Sequence, residues 1–549
     1  MRASSFPIGV GLATSSGCLW FLACTPFDLA PLAWVASLPM LLAVEEAPTL
    51  RRALLLGWWA GVIETGGGFY WIIDTTQRFA GFPWIGGAAV LVLFCATRAL
   101  IFLLFTAIVC GIRRRRPVPM VVLAPLAMAA SEYLVPQIFP CGQWITQAWH
   151  PLLIQISDLT GPYGVTALLM MVNGALYDAA TALRAGQPRV AYAPLLGAAA
   201  VLGAALAYGA VRMQAIDALR ASAPTLKVGL VQPNIPNSST GDFSAEEAAH
   251  ELAGLTSESQ RLERLGADIT VWSEGAYPVA LPRTLGIDFP PDSPARIRRG
   301  LEAPLLAGVA MYDAEGERFY NSALLLERHG EVAGHYDKVN LLAFGEYIPG
   351  LSLFPWLRNV LPAGTGGYTP GGGPAVLSLS VARGGPSWAL GPLICYEDIL
   401  PGYVHQVGRL HPNLLVNLTV DSWYGARAEP WEHLALAVFG SVEVRTDMVR
   451  AVNSGVSALI DANGRVLSKT YADDPYRHPL PPDGIVVTPA RMPGGNTLYV
   501  RFGDWFAMLA VLTCAALGAL AWRAPRGPQA PREPQAPPAP RAPSRAPSR

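Results

Sequence analysis

Residues Leu393-Ile394-Cys395-Tyr396-Glu397-Asp398 set a thiol at the end of an apolar run and follow it at once with two acids. A thiol so placed is a nucleophile candidate: sheets present reacting groups at strand ends, and carboxylates serve no packing purpose beside a structural cysteine. The alternative for a solitary cysteine is a small buried hydrophobe. Attack by a thiolate also needs a base to take its proton and a donor to hold the oxyanion. The chain has three lysines against 37 arginines. Lys338, in Tyr336-Asp337-Lys338-Val339-Asn340, is therefore read as kept for what only a compact ammonium does, approaching an oxyanion closely; a chance surface lysine is the competing reading. Glu274 ends the run Ile269-Thr270-Val271-Trp272-Ser273, and burial beside the indole would raise its pKa toward neutrality, as a general base requires. An exposed loop glutamate is its alternative. His250, His329, His335, His405, His411, His433 and His478 lie in the same region, none in a Cys/His protease signature, and surface or capping roles are expected for most. No HExxH or paired CxxC marks a metal, and no cofactor is expected.

These three residues need a scaffold, and the texture between about 222 and 495 supplies one. Strand candidates are 226–232, 268–274, 305–311, 322–327, 387–397, 413–419 and 454–461, with helical stretches at 244–265 and 431–445 between them. Strands alternating with helices over some 270 residues predict a layered α/β domain with its own core.

The rest of the chain is of another kind. Of 549 residues 52% are apolar and 15% charged, with a mean hydropathy of +0.32, which excludes an ordinary soluble protein. Long, nearly uncharged runs predict membrane spans at about 6–24, 28–45, 52–75, 84–111, 117–135, 163–183, 190–211 and 503–522. The net charge of zero argues against nucleic acid as a partner, yet it is a sum of unlike blocks. Residues 1–215 hold 12 Arg, no Lys and 8 acids; 216–502 hold 22 basic and 30 acidic residues; the last 47 hold 6 Arg and 2 acids. Eight spans put Arg2, Arg51/Arg52, Arg113 to Arg116, Arg184/Arg189 and the tail arginines on one side, which the excess of basic residues marks as cytoplasmic. The acidic block then lies outside, in a bacterial periplasm. The expected organisation is a seven-span membrane domain (1–215), an outer catalytic domain (216–502), an eighth span (503–522) and a disordered Pro/Arg-rich tail (523–549). Leu22-Ala23-Cys24 faintly imitates a lipoprotein cleavage site, but removing the first span would spoil this parity. Arg98 falls inside the fourth span and is read as bundle-facing or snorkelling.

Taken together, WSEGAYP around Glu274, YDKVNLLAFGEYIP around Lys338 and LICYEDI around Cys395 are similar to the Glu, Lys and Cys motifs of the nitrilase (carbon–nitrogen hydrolase) superfamily. With eight spans around such a domain, the chain resembles the apolipoprotein N-acyltransferases of the bacterial inner membrane. The resemblance implies an αββα sandwich between spans seven and eight, and a ping-pong reaction. Cys395, deprotonated by Glu274, would take an acyl chain from a phospholipid as a thioester. The α-amine of an S-diacylglyceryl-cysteine on an apolipoprotein would then collect it, with Lys338 and the Tyr396 amide holding the oxyanion in both steps. It further implies a second essential glutamate at Glu346, a supporting carboxylate at Glu397, substrate contact at Trp423, an acidic loop residue at Glu132, and a monomer. Phe354 and Trp356, in the stretch Leu351 to Leu361, would suit an arm touching the bilayer; core packing is the alternative. Two places depart from the family pattern: NSSTGDF follows VQPNIP where a tryptophan is usual, and FPCGQWI replaces FPW.

Two rival readings remain at this level. One is a membrane-anchored hydrolase of amides or nitriles with the same triad. The other is a transporter with an accessory outer domain, against which the scarcity of paired charges in the spans argues.

Overall fold

Runs this apolar can satisfy their backbone in lipid only as helices, and helices make up most of residues 6–222. The computed structural model describes residues 6–235, 244–351, 353–359, 366–381, 385–425, 428–470 and 484–523. Among these, five helical segments are long and apolar enough to cross a membrane: Phe6–Ala23, Trp84–Arg113, Tyr163–Arg184, Pro188–Ser222 and Trp505–Arg523. Ala30–Glu45 and Met120–Leu134 are shorter apolar helices. The run expected over 28–45 begins as a 3₁₀ turn, Ala30–Trp34, before the helix Leu38–Glu45. The run expected over 52–75 is two helices, Leu50–Gly68 and Ile72–Ala80, because three consecutive glycines, 66 to 68, close the first one. Arg98 faces the bundle: its Nη1 lies 3.4 Å from Glu64 Oε2, its guanidinium sits 4.8 Å from the centre of the Phe69 ring, and it donates to the Cys141 carbonyl.

The domain that follows the helix Pro188–Ser222 holds two sheets. In chain order the strands are β1 (Val228–Leu230), β2 (Ile269–Val271), β3 (Leu281–Pro282), β4 (Leu305–Tyr312), β5 (Phe319–Leu326), β6 (Val332–Asp337), β7 (Leu377–Leu379), β8 (Trp388–Ile394), β9 (Leu414–Thr419), β10 (Met448–Val452), β11 (Ala458–Ile460), β12 (Val466–Lys469) and β13 (Ile485–Val487). The first sheet runs β13-β1-β2-β4-β5-β6 with β3 against β4, and the second runs β12-β11-β10-β9-β8-β7. In each, three adjacent strands are parallel, β1-β2-β4 and β8-β9-β10; β3 also runs parallel to β4, and the remaining flanking strands are antiparallel.

Period-two alternation explains the layering. On β4 and β5, Leu305, Ala307, Val309, Leu324 and Leu326 pack with Leu252, Leu255 and Leu262 of the helix Ala245–Arg264. Their neighbours Leu306, Ala323 and Leu325 join the other core, where β1 meets β10 and β5 meets β8. That helix starts where Ser244 and Glu247 form a reciprocal capping box. On the far side, the helix Glu429–Val444 is buried at every residue except Trp431, and Gly440 lies against Met448 of β10. The result is the layered helix–sheet–sheet–helix order expected from the resemblance.

Candidate active site

Three chain segments bring their ends to one place. Glu274 leaves β2 through Trp272, which is fully buried with Nε1 donating to Ser259 Oγ at 2.8 Å. Lys338 leaves β6, its amide donating to the Asn321 carbonyl at 2.8 Å. Cys395 leaves β8 and opens a 3₁₀ helix, Cys395–Ile399. Its φ is +54°, a left-handed conformation that side chains avoid unless the surroundings impose it. Asn417 of β9 steadies this elbow by donating to the Cys395 carbonyl at 2.9 Å.

Lys338 is 1% exposed, with Nζ 3.2 Å from Glu274 Oε1 and 2.8 Å from Glu346 Oε2. Asn321 bridges the same two carboxylates, at 2.7 and 2.8 Å, and the Leu342 amide donates to Glu346 Oε2. The Lys338 ammonium also lies 5.6 Å from the centre of the Tyr396 ring. Burial would discharge the lysine, but Glu274, Cys395 and Glu346 outweigh it and hold its pKa well above the ordinary value. Glu274 is raised: burial dominates over the lowering by Lys338, and Glu346 adds to it. Burial also pushes the Cys395 thiol up, to about 12; Glu274 adds to this, and Lys338 and His433 pull it back. A raised carboxylate and a raised thiol beside a fixed ammonium can pass one proton between them and stabilise negative charge on sulfur or on an acyl oxygen.

Glu397 binds rather than reacts. Its Oε1 accepts the amides of Val339 and Asn340, and its Oε2 accepts the Ile394 amide and the Tyr336 hydroxyl, all within 2.9 Å. It thereby ties the segment after Lys338 to the residue before Cys395. Tyr396 donates its hydroxyl to the Leu341 carbonyl. Trp423 lies in the 3₁₀ turn Ser422–Tyr424 and meets Phe79 of the membrane half edge-on at 5.2 Å. Phe354 and Trp356 are 52% and 58% exposed, so core packing is not their role, and among the described residues no hydrogen bond or ring contact joins them to the triad. Glu132 is buried within the helix Met120–Leu134 and accepts from the Gln143 amide and the Thr166 hydroxyl. The NSSTGDF departure lies outside the described residues, as does the tail after Arg523.

Sequence reasoning missed two residues. Asn321 sits one position before the strand expected at 322, and its signal was a lone amide beginning an apolar strand. His433 was grouped with surface or capping histidines, yet it is buried, with Nδ1 2.9 Å from Asp421 and Nε2 2.9 Å from Asp398. Its signal was the density of acids around it, Glu429 and Glu432 among them. Asp421, Glu429 and His433 bring ligand atoms within 4.8 Å of one another. With carboxylates at both ring nitrogens, however, the imidazole presents two N–H donors and no lone pair, so the group is built as an ion-pair network.

Fold and site define a class, a carbon–nitrogen hydrolase domain carried on a helical membrane part. Residues 227–474 match the family model for carbon–nitrogen hydrolases, and residues 16–175 match that for the apolipoprotein N-acyltransferase N-terminal domain. The apolipoprotein N-acyltransferase of Geobacter metallireducens is 31% identical over 93% of this chain and 95% of its own length. Those of Brucella melitensis (30%, covering 83% and 86%) and Caulobacter vibrioides (29%, covering 93% and 94%) are similar. The chain belongs to the apolipoprotein N-acyltransferase family.

Proposed function

We propose that the chain moves an acyl chain from a phospholipid to the N-terminal amine of the S-diacylglyceryl-cysteine of apolipoproteins, through a thioester on Cys395. Glu274 takes the thiol proton, and the thiolate attacks the ester carbon. Lys338 and the Tyr396 amide, in a first helical turn where amides lack intrahelical acceptors, hold the oxyanion. Collapse breaks the ester C–O bond, and Glu274 returns its proton to the departing oxygen, which releases a lysophospholipid and leaves the carboxylate ready for the second step. The amine then attacks the thioester, which it does far more readily than an ester, so one hard transfer becomes two easier ones. The observation that carries this reading is the buried Lys338 ammonium between Glu274 and Glu346, beside a cysteine held at positive φ.

The membrane setting is read in the same way. Eight spans, with the arginine clusters cytoplasmic and the acidic domain periplasmic, deliver both lipid substrates sideways from the bilayer of the inner membrane to a monomeric enzyme. Trp423 contacts substrate, and the exposed Phe354 and Trp356 touch the bilayer. In the test, purified protein is incubated with a phospholipid and Cys395 is examined by mass spectrometry. An added acyl mass on Cys395, absent from Cys395→Ala, is expected together with loss of N-acylation in that variant. An unmodified Cys395 with a fully active Cys395→Ala overturns the mechanism.

A further inference from the structure

A small cavity of about 20 Å³ opens beside Cys395. It has room for one water-sized polar group and none for an acyl chain. Its aromatic walls come from both halves of the molecule. Trp71 and Phe139 of the membrane part meet Tyr424 of the outer domain, with ring centres 5.3 to 6.0 Å apart. Its polar floor is the helix Glu429–Val444, through Glu429, Glu432 and His433.

Charge around this floor does not balance. Asp398 pairs with Arg450 and with His433 Nε2, Asp421 pairs with His433 Nδ1 through Oδ1 while its Oδ2, outside the cavity lining, stays open, and Glu64 pairs with Arg98. Glu429 stands 3.7 Å from a His433 nitrogen already committed to Asp421. Glu432 has the Trp71 indole N–H at 2.9 Å and no cation of its own among the described residues. Both glutamates are 6% exposed. Each keeps one buried oxygen, Glu429 Oε2 and Glu432 Oε1, without a hydrogen-bond partner among the described residues. Buried acceptors left open are costly. Two of them in an aromatic box suit a small cation, which gains from the carboxylates and from the ring faces together.

We propose that this cavity is the acceptor subsite, in which Glu429 and Glu432 receive the α-ammonium of the apolipoprotein's N-terminal cysteine against Trp71, Phe139 and Tyr424. The inference rests on the reading that Cys395 carries the acyl group. One proton of the bound ammonium passes to the glutamate pair, and the freed amine nitrogen bonds to the thioester carbon. The second proton goes to Glu274, the C–S bond breaks, and sulfur leaves as the Cys395 thiolate beside Lys338. Burial raises the Glu432 carboxyl to about 8; an incoming ammonium favours its ionised form, and the carboxylate so formed is basic enough to take a proton back from the amine.

The test uses the full chain, acylated on Cys395 from a phospholipid and then discharged by either of two small amines at neutral pH: methylamine, which is cationic, or hydroxylamine, which is not. Glu429→Gln and Glu432→Gln, singly and together, are expected to slow methylamine discharge by roughly tenfold or more and to leave hydroxylamine discharge within about twofold. The hydroxylamine arm reads folding and thioester reactivity independently of the subsite. Equal slowing of both amines, or of neither, overturns the proposal. Failure of the unaltered chain to form the Cys395 adduct overturns instead the reading on which it rests.

Discussion

At the scale of single residues, the site is governed by how few cations serve many buried acids. Lys338 is shared by Glu274 and Glu346, so an arginine, bulkier and planar, cannot occupy the same point between them. Lys338→Arg is expected to lower the rate of Cys395 acylation by roughly a hundredfold or more, read as lysophospholipid release; full activity would remove the oxyanion role. His433 makes a different prediction, about stability. Burial alone would lower its pKa, but Asp421 and then Glu429 reverse that and raise it to about 9. A group whose pKa is raised on folding stabilises the folded state fully below its unfolded value and loses that contribution as pH rises through the folded one. For His433 the window runs from about 6.5 to about 9 and spans ~3 kcal/mol. Glu432, raised to about 8, acts in the same sense over a window starting near its ordinary value. The melting temperature in detergent should therefore fall from pH 6.5 to pH 9, and His433→Gln should flatten that fall; a melting temperature that rises across the interval would contradict the charged imidazolium.

At the scale of elements, close approach decides whether the triad can meet. A Cβ on Gly308 of β4 would lie 2.1 Å from the Ser273 carbonyl and 2.7 Å from Glu274 Cα, so glycine is what lets the Glu274 segment lie across β4. A Cβ on Gly371 would lie 2.1 Å from the Asp337 carbonyl, which lets that loop donate its amide to the Lys338 carbonyl. Gly308→Ala should cost about 1 to 3 kcal/mol from overpacking. Its larger effect should be on the rate, because Glu274 is displaced from Asn321 and Lys338. Acylation kinetics and the melting temperature, measured on one preparation, separate the two effects. A Gly308→Ala protein with unaltered kinetics would show that the segment has slack to move.

At the level of the entire chain, a polar seam couples the sheet domain to the membrane part. The helix Pro188–Ser222 is 35 residues long, about 52 Å, well beyond the roughly 30 Å of bilayer hydrocarbon, and its last turns grip the domain. Arg220 pairs with Asp447 at 2.8 Å, Asp217 meets Asn463 and Arg465, and Arg212 shares Asp158 with Arg445 of the sheet domain. Arg445 also donates to Gln155 Oε1 and to the Gln155 carbonyl, so its loss leaves Asp158 with Arg212 alone and those buried acceptors without their donor, at a cost of roughly 1 to 3 kcal/mol for each. Arg445→Ala should therefore loosen the domain and speed its proteolytic release from membranes, while the conservative Asp217→Asn, at a more exposed pair, should change it little. Equal release rates for the two variants and the unaltered chain would mean that the seam does not hold the domain.

Much was legible in advance because it depends on local chemistry. Apolar run length predicts helices in lipid. The lone outer cysteine before two acids, and one of three lysines in an arginine-rich chain, single out Cys395 and Lys338. The missed parts are those that depend on neighbours far along the chain. β6, which delivers Lys338, reads as polar in Val332 to Asp337 because it is an edge strand, half exposed along its first four residues. β10 was overlooked although Arg450 on it pairs with Asp398. The role of Glu397 is written across Val339, Asn340, Ile394 and Tyr336, and the surroundings of His433 come from three separate segments. Nucleophilicity, charge and hydropathy belong to residues and runs, so the groups able to react and the membrane part that carries them can be read along the chain. Which carboxylates share a cation and which are left without one follows from the packed fold, because burial and pairing exist only once distant segments come together.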